Sequence, residues 1–159
     1  MGWDFGYESK AETVRNLLDP TRFVAGYKPV THKLVGSDLW IVVETPSGQN
    51  MIVLYRIATR RGMTGYMGMP ESSGPYYFTC PLSFLDMAPE TNPEWRAKVR
   101  AHHARNEGKK DIRVGSKVLV YGKPYTVVGR IRRSLLVVNE AGRQYRIGTR
   151  SAFPCQEAA

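Results

Sequence analysis

The sequence predicts an α+β fold in two parts. Residues 1–108 are expected to form an α+β domain with an antiparallel sheet and a long helix, and residues 109–159 a small basic β-barrel with a short tail. Helix start signals occur twice in the first part, with β-branched and aromatic runs between them. In the second part only short strand patterns remain, separated by turn residues. A chain of 159 residues is long enough for two small domains.

The first helix is predicted over residues 9–19. Ser9 and Glu12 have the spacing of a capping box, in which each side chain accepts a hydrogen bond from the other residue's backbone N–H. Apolar residues then recur at helical spacing, and Pro20 ends the pattern because its ring clashes with a continued helical turn.

An antiparallel hairpin is predicted over Asp38–Thr45 and Met51–Thr59, which are rich in β-branched and aromatic residues. The turn between them is Pro46–Gln49, and an earlier strand over Tyr27–Val35 would pair with the hairpin. Residues 60–80 combine Gly, Pro and Ser with Tyr and Met, which predicts a long loop or an irregular strand. Long ordered loops in compact domains are often functional.

A second clear helix is predicted over Pro93–Glu107, after a short helix or turn at residues 81–87. Asn92 is expected to cap its free N–H groups, and proline is favoured at the first helical position. Gly108 is expected to end the helix as a left-handed cap.

Short strands separated by turns follow, which predicts a small barrel or curled sheet. They are Lys117–Tyr121, Tyr125–Arg130, Ser134–Asn139 and Gln144–Ile147. The segment Arg113–Val118, a polar turn before a valine-rich strand, resembles the opening of SH3-like small barrels. That resemblance implies an SH3-like β-barrel for residues 109–159.

The positive charge of the chain is concentrated in this second part. Residues 109–159 carry eleven Lys and Arg against three Asp and Glu, whereas residues 1–108 carry twelve against eleven. A concentrated positive field attracts polyanions, so nucleic acid, DNA or RNA, is the leading partner. The alternative interpretation is a solvated arginine-rich surface.

The candidate binding residues are arginines and lysines, which donate hydrogen bonds to phosphate oxygens, and tyrosines, whose rings stack on bases. They are Lys117, Lys123, Arg130, Arg132, Arg133, Arg143, Arg146, Tyr125 and Tyr145. Strand alternation would place Arg130 and Arg132 on the same outward face.

The sequence contains no recognisable catalytic constellation. Cys80 with His102 or His103 is the one Cys/His combination to consider, and its apolar surroundings favour the unreactive thiol. No metal-ligand spacing, phosphate loop or dinucleotide pattern occurs, so neither metal nor cofactor is expected. Cys80 and Cys155 are expected to remain reduced. No apolar run approaches a membrane span, and the N-terminus lacks signal-peptide features, which predicts a cytoplasmic protein.

Several segments resemble a family of small proteins, without an established activity, that phages, prophages and plasmids carry. They are Met1–Trp3, Met69–Tyr77, Cys80–Leu82, Leu85–Asp86, Asn92–Arg96 and Gln144–Ile147. The resemblance implies a mobile genetic element in the cytoplasm of a bacterial host, and it brings no catalytic residues. It makes Glu71, Gly74, Tyr76, Cys80 and Trp95 secondary candidates, to which the basic second helix adds Arg96 and Arg100. The competing interpretation is that these aromatic residues pack the core.

Three functions therefore remain open. The first is a non-enzymatic nucleic-acid-binding protein of a mobile element. The second is an inhibitor of a host defence complex, anti-CRISPR or anti-restriction, that binds a protein or ribonucleoprotein. The third is a hydrolase or transferase that uses Cys80, Glu71 or a histidine. The oligomeric state is left open by the sequence.

Overall fold

The computed structural model describes residues 3–155 and divides the chain into two compact units. The first unit ends at Arg100 and the second begins at Ala101. Each contains a five-stranded antiparallel sheet, and helices are few. The predicted α+β class is therefore confirmed. Within residues 3–155, no helix combines the length and the apolar character that crossing a membrane requires.

The strands of the first unit are β1 Asp4–Gly6, β2 Lys28–Val35, β3 Asp38–Glu44, β4 Asn50–Arg60 and β5 Met63–Pro70. They pair in the order β1-β5-β4-β3-β2. Thus the predicted strands at residues 27–59 are present, and β1 and β5 extend the sheet beyond them. The edge strand β1 has only three residues, too few for a sequence pattern.

Strand β5 lies within the segment predicted as a long loop or irregular strand. Its hairpin with β4 turns at Arg61 and Gly62, whose φ angles are +51° and +78°, as in type I′ hairpin turns. A Cβ at Gly68 would lie 3.0 Å from the Tyr55 ring on the neighbouring strand. Glycine in β5 therefore makes room for a ring, and a loop-like composition is compatible with a regular strand.

Helices cover both faces of this sheet. They are α1 Lys10–Leu17, α2 Leu82–Leu85 and α3 Pro93–Lys110. One core cluster packs Trp40 of β3 against α2 and α3, with Trp40 and Trp95 ring centroids 5.6 Å apart. The other cluster, around Leu39 and Ile41, packs against α1 residues. Because β3 is buried on both faces, its sequence is a nearly continuous apolar run.

The residues expected to cap the first turns of α1 and α3 do so in the structure. Ser9 N donates to Glu12 Oε2 at 2.7 Å and Glu12 N donates to Ser9 Oγ at 3.2 Å, which confirms the capping box. Trp95 N donates to Asn92 Oδ1 at 3.0 Å at the start of α3. The predicted end of α1 was two residues too late, since Leu18 already forms its C-cap.

Helix α3 passes through Gly108 and continues to Lys110, so the predicted cap at Gly108 is wrong. Within the second unit, a Cβ at Gly108 would lie 2.8 Å from Pro154 Cγ. Glycine stands here because Pro154 approaches the helix closely.

Gly108→Ala is expected to destabilise the second unit, although alanine is the better helix former by about 1 kcal/mol. The rigid Pro154 ring has to move, and overpacking of this kind costs about 1–3 kcal/mol. The measurement is amide hydrogen exchange in the core strands of the second unit. Gly148→Ala is the control, since a Cβ there meets no atom within 4 Å and its φ is −68°. Slower exchange in Gly108→Ala would contradict the close approach.

The strands of the second unit are β6 Lys117–Val120, β7 Lys123–Ile131, β8 Ser134–Val138, β9 Gln144–Gly148 and β10 Ala152–Pro154. Their order is β10-β6-β7-β8-β9, with a 3-10 turn at Thr149–Ser151 before β10. The four predicted strands are present within one or two residues. The two edge strands, β9 and β10, do not pair with each other in the described residues, so the sheet is not closed and an SH3-like barrel is not confirmed.

Candidate functional site

A bulge in β7 decides where its arginine lies. The register shifts between Val127 and Gly129, so Val127 pairs with Val137 and Arg130 pairs with Leu135. Because cross-strand partners lie on the same face of a sheet, Arg130 lies on the same sheet face as Leu135. Leu135 is buried, whereas Arg130, near the end of β7, is exposed. Arg132 lies in the following turn at φ +51°. The two arginines therefore do not share an outward strand face, contrary to the expectation from simple alternation.

Arg130 lines a cavity of about 400 Å³ in the second unit, here called the basic cleft. Four cationic side chains line it from three separate elements: the end of α3, strand β7 and the 3-10 turn before β10. They are Lys109, Lys110, Arg130 and Arg150, joined by the polar residues Asn106 and Thr149 and the apolar residues Ile112 and Leu135. Ile112 and Leu135 belong to the core cluster of this unit, so the cleft is built against its core.

Lys109 is held in place within this cleft. Its ammonium donates to the backbone O of Arg150 at 2.9 Å and lies 3.9 Å from the centroid of the Phe153 ring. Burial, and secondarily the charge of Arg105, lowers the pKa of Lys109. An anion next to this ammonium would relieve both effects.

The other three cations differ in how their charge is balanced. Lys110 pairs with Glu107, with 2.6 Å between Nζ and Oε1, on an exposed surface. Neither Arg130 nor Arg150 forms a side-chain ion pair with any residue that the structure describes. Both are exposed, so their forked donors are available to an anion.

The remaining predicted cations do not join this cleft. Lys117 and Arg146 lie on the opposite sheet face, since their strand partners are Thr126 and Leu136. The others lie at hairpin turns or strand ends; they are Lys123, Arg132, Arg133 and Arg143. The predicted set is therefore spread over several parts of the surface.

The two predicted tyrosines do lie together. Tyr125 and Tyr145 have ring centroids 5.7 Å apart at an interplanar angle of 87°. Tyr125 packs against the core of the second unit, while Tyr145 is 37% exposed. Tyr145 thus offers the more accessible ring for stacking.

Most of the secondary candidates are structural. Glu71, Trp95 and Arg96 are buried, with Arg96 forked onto Glu71 and Trp95 packed in the core. Tyr76 and Arg100 are exposed. This arrangement fits the packing interpretation for Trp95 and leaves Tyr76 without a packing role.

Cys80 is poorly suited to nucleophilic catalysis. Its side chain is fully buried, and burial, with a smaller contribution from the charge of Glu71, raises the pKa of the thiol to about 12. Since the thiolate is the reactive form, almost none exists at neutral pH. Among residues 3–155, no three His, Cys, Asp or Glu side chains are grouped to hold a metal ion.

Sequence reasoning missed three of the four cations of the basic cleft as site residues: Lys109, Lys110 and Arg150. A partial signal existed, because Lys109 and Lys110 are adjacent at the start of the basic segment. The cleft itself depends on two features that the sequence did not indicate, namely the continuation of α3 past Gly108 and the 3-10 turn that carries Arg150.

Comparison with known proteins gives no identification: no family model matches the chain, and neither a curated protein nor a solved structure shows significant similarity to it.

Proposed function

We propose that this chain is a non-enzymatic nucleic-acid-binding protein whose basic cleft holds backbone phosphates. One observation carries the proposal: four cationic side chains from three elements line a single cavity of about 400 Å³. Two of them, Arg130 and Arg150, have no ion pair among the described residues. Separated elements that converge on one positive cavity favour a bound anion over a merely solvated surface.

Phosphate is the anion that suits these donors best. Arginine presents two parallel N–H groups to phosphate oxygens, and lysine adds a point charge. The fixed Lys109 ammonium would mark the deepest phosphate position, because its contacts with Arg150 O and Phe153 already orient it. The surrounding charge excess of residues 109–159 would attract a polyanion to the cleft from a distance.

Tyr145 offers a second type of contact. Its ring is partly exposed and braced edge-on by Tyr125. Aromatic rings beside a positive groove stack with unpaired bases in a sequence-tolerant way. A single strand could therefore place a base on Tyr145, whereas a duplex would use phosphate contacts alone.

The finer fold and the biological context are also proposals. The strand order β10-β6-β7-β8-β9, with the last strand beside the first and a 3-10 turn before it, supports an SH3-like sheet. The resemblance of several segments to proteins of phages, prophages and plasmids supports a role in a mobile genetic element, in the cytoplasm of a bacterial host.

The testing experiment is fluorescence anisotropy of the purified protein with labelled single-stranded and duplex DNA and RNA at two salt concentrations. If the four cleft cations each neutralise one phosphate, affinity should fall about 50- to 150-fold between about 50 and 200 mM salt. The smaller figure applies to single strands and the larger to duplexes, since counterion release per phosphate differs between them.

Absence of binding at about 50 mM salt, where phosphate contacts are strongest, would overturn the proposal. The favoured function would then be inhibition of a host defence complex, as an anti-CRISPR or anti-restriction protein. Affinity capture of a stoichiometric protein or ribonucleoprotein from bacterial lysate would test that alternative.

A further inference from the structure

The first unit contains a separate cavity of about 520 Å³ beside one face of its sheet. Strand β1, helix α1 and the segment after α1 border it, and the strands β3, β4 and β5 supply its floor. Five aromatic residues line it: Phe5, Phe23, Tyr27, Tyr55 and Tyr66. A volume of this size lies within the range of about 300–1,000 Å³ that is typical of small-molecule sites.

Two of these aromatic rings form a corner. The Tyr55 and Tyr66 ring centroids are 6.0 Å apart at an interplanar angle of 71°. Ring faces carry negative potential, so two faces at a steep angle attract a cation between them. In residues 3–155 the protein's own cation–π contacts are made with the rings of Tyr77 and Phe153, which leaves this corner without an internal cation.

The charges that line the cavity are predominantly negative. Asp4 Oδ2 accepts a weak hydrogen bond from the Tyr66 hydroxyl at 3.4 Å. Glu8 Oε2 accepts a shorter hydrogen bond from Asn16 Nδ2, at 2.7 Å. Neither carboxylate forms an ion pair with a described residue. The cation that lines the cavity, Arg22, is 3.9 Å from the carboxylate of Asp19. The cavity therefore keeps two carboxylate charges that no cation neutralises directly.

The direction of the pKa shift of Tyr66 agrees with this excess of negative charge. Burial, followed by the charges of Asp4 and Glu8, raises the pKa of Tyr66, and the opposing influence of Arg22 is smaller. Burial also raises the pKa of Tyr55. The Tyr66 hydroxyl thus lies in a net negative field, although the whole chain has a net charge of +9.

We propose that this cavity binds a small organic cation, an ammonium group attached to an aromatic or alkyl body. The apolar body would lie among Phe23, Tyr27 and Tyr55. The charged nitrogen would lie at the corner formed with Tyr66, near Asp4 and Glu8. This site is in the first unit, so it stands independently of nucleic-acid binding by the second.

The chain carries a methionine that reports on this cavity. Met51 lines it, whereas Met87 does not, and Met69 belongs to the core cluster on the other face of the sheet. With ¹³C-methyl methionine labelling, the full chain is titrated with tryptamine and phenethylamine at neutral pH. Their uncharged counterparts, tryptophol and 2-phenylethanol, differ only in a hydroxyl that replaces the ammonium.

The Met51 methyl resonance is expected to shift saturably with at least one amine, at a Kd below about 5 mM, while Met87 stays in place. The matching alcohol should bind at least about fivefold more weakly, because it lacks the attraction to the ring faces and carboxylates. No Met51 shift with either amine up to about 10 mM, or equal binding of amine and alcohol, overturns the proposal.

Paired variants separate this attraction from the charge of the whole chain. Asp4→Asn/Glu8→Gln is expected to weaken amine binding at least about threefold and to leave alcohol binding unchanged. Asp86→Asn/Glu90→Gln removes the same charges from exposed positions outside the cavity and should change neither. An unshifted Met69 resonance shows that the fold is intact in each variant. Equal weakening by the two pairs would overturn the proposal.

Discussion

Replacing Arg96 with methionine is expected to destabilise the first unit by about 3–5 kcal/mol, the usual cost of breaking a buried ion pair from one side. Arg96 and Glu71 are 4% and 3% exposed, and Arg96 Nε and Nη2 donate to the two carboxylate oxygens at 2.5 and 2.9 Å. Without Arg96, the Glu71 charge stays buried with no cation beside it. All three tryptophans lie in this unit, so urea unfolding followed by tryptophan fluorescence measures the effect.

The destabilisation extends beyond the ion pair because Arg96 also organises a loop. Its guanidinium donates to the backbone oxygens of Leu85, Ala88 and Pro89 at 2.6 to 3.0 Å. Glu71 Oε1 in turn accepts hydrogen bonds from the backbone N–H groups of Thr91 and Asn92. Together these bonds join the loop before α3 to the end of β5, so the substitution removes several buried hydrogen bonds along with the charge balance.

An exposed pair on the same helix supplies the control. Lys98 and Glu94 are 2.8 Å apart in an i, i+4 arrangement at the surface, and Lys98→Met should cost less than about 1 kcal/mol. Adding Glu71→Gln to Arg96→Met should restore part of the stability, because no charge then remains buried. Equal effects of Arg96→Met and Lys98→Met would show that the buried pair contributes little.

The sequence predicted those parts of the fold that depend on neighbouring residues. Ser9 with Glu12 and Asn92 with Pro93 determine helix starts through contacts within one turn, so both starts were correct. The three-residue strands Asp4–Gly6 and Ala152–Pro154 depend instead on partners far along the chain. The close approach of Gly108 in α3 to Pro154 likewise joins residues far apart along the chain.

The candidate site was predictable in its chemistry and not in its location. Charge counting identified the basic segment, and Arg130 was among the predicted site residues. The bulge after Val127 then turned Arg130 toward Leu135, and such a bulge has no sequence signature in this strand. Lys109 and Arg150 are 41 positions apart, and only the packing of α3 beside the 3-10 turn brings them into one cleft.

The proposed phosphate site in the basic cleft leads to the second prediction with a large expected effect. Arg130→Glu/Arg150→Glu is expected to weaken nucleic-acid binding about 100-fold at about 100 mM salt, at roughly tenfold for each phosphate that the cleft no longer holds. The slope of log affinity against log salt should also become shallower by about 2, one for each of these phosphates. No side-chain hydrogen bond of either arginine is present in the described residues, so both substitutions should preserve the fold. Anisotropy with the labelled strands gives both quantities.

The matched control is Arg143→Glu/Arg146→Glu, which lies in the same unit and outside the cleft. The two double variants are compared on a labelled duplex, because the proposed stacking on Tyr145, next to Arg146, applies to single strands. Both double variants reverse two exposed arginines and so have the same net charge. A difference between them therefore reports position and not the overall field of the protein. The control is expected to weaken binding less than about tenfold, because neither arginine lines the cleft and salt screens the attraction of exposed charges that do not contact the bound phosphate. Equal weakening would mean that nucleic acid responds to the whole basic surface, and a larger effect in the control would move the site from the cleft to the turn at Arg143 and the opposite face of the sheet.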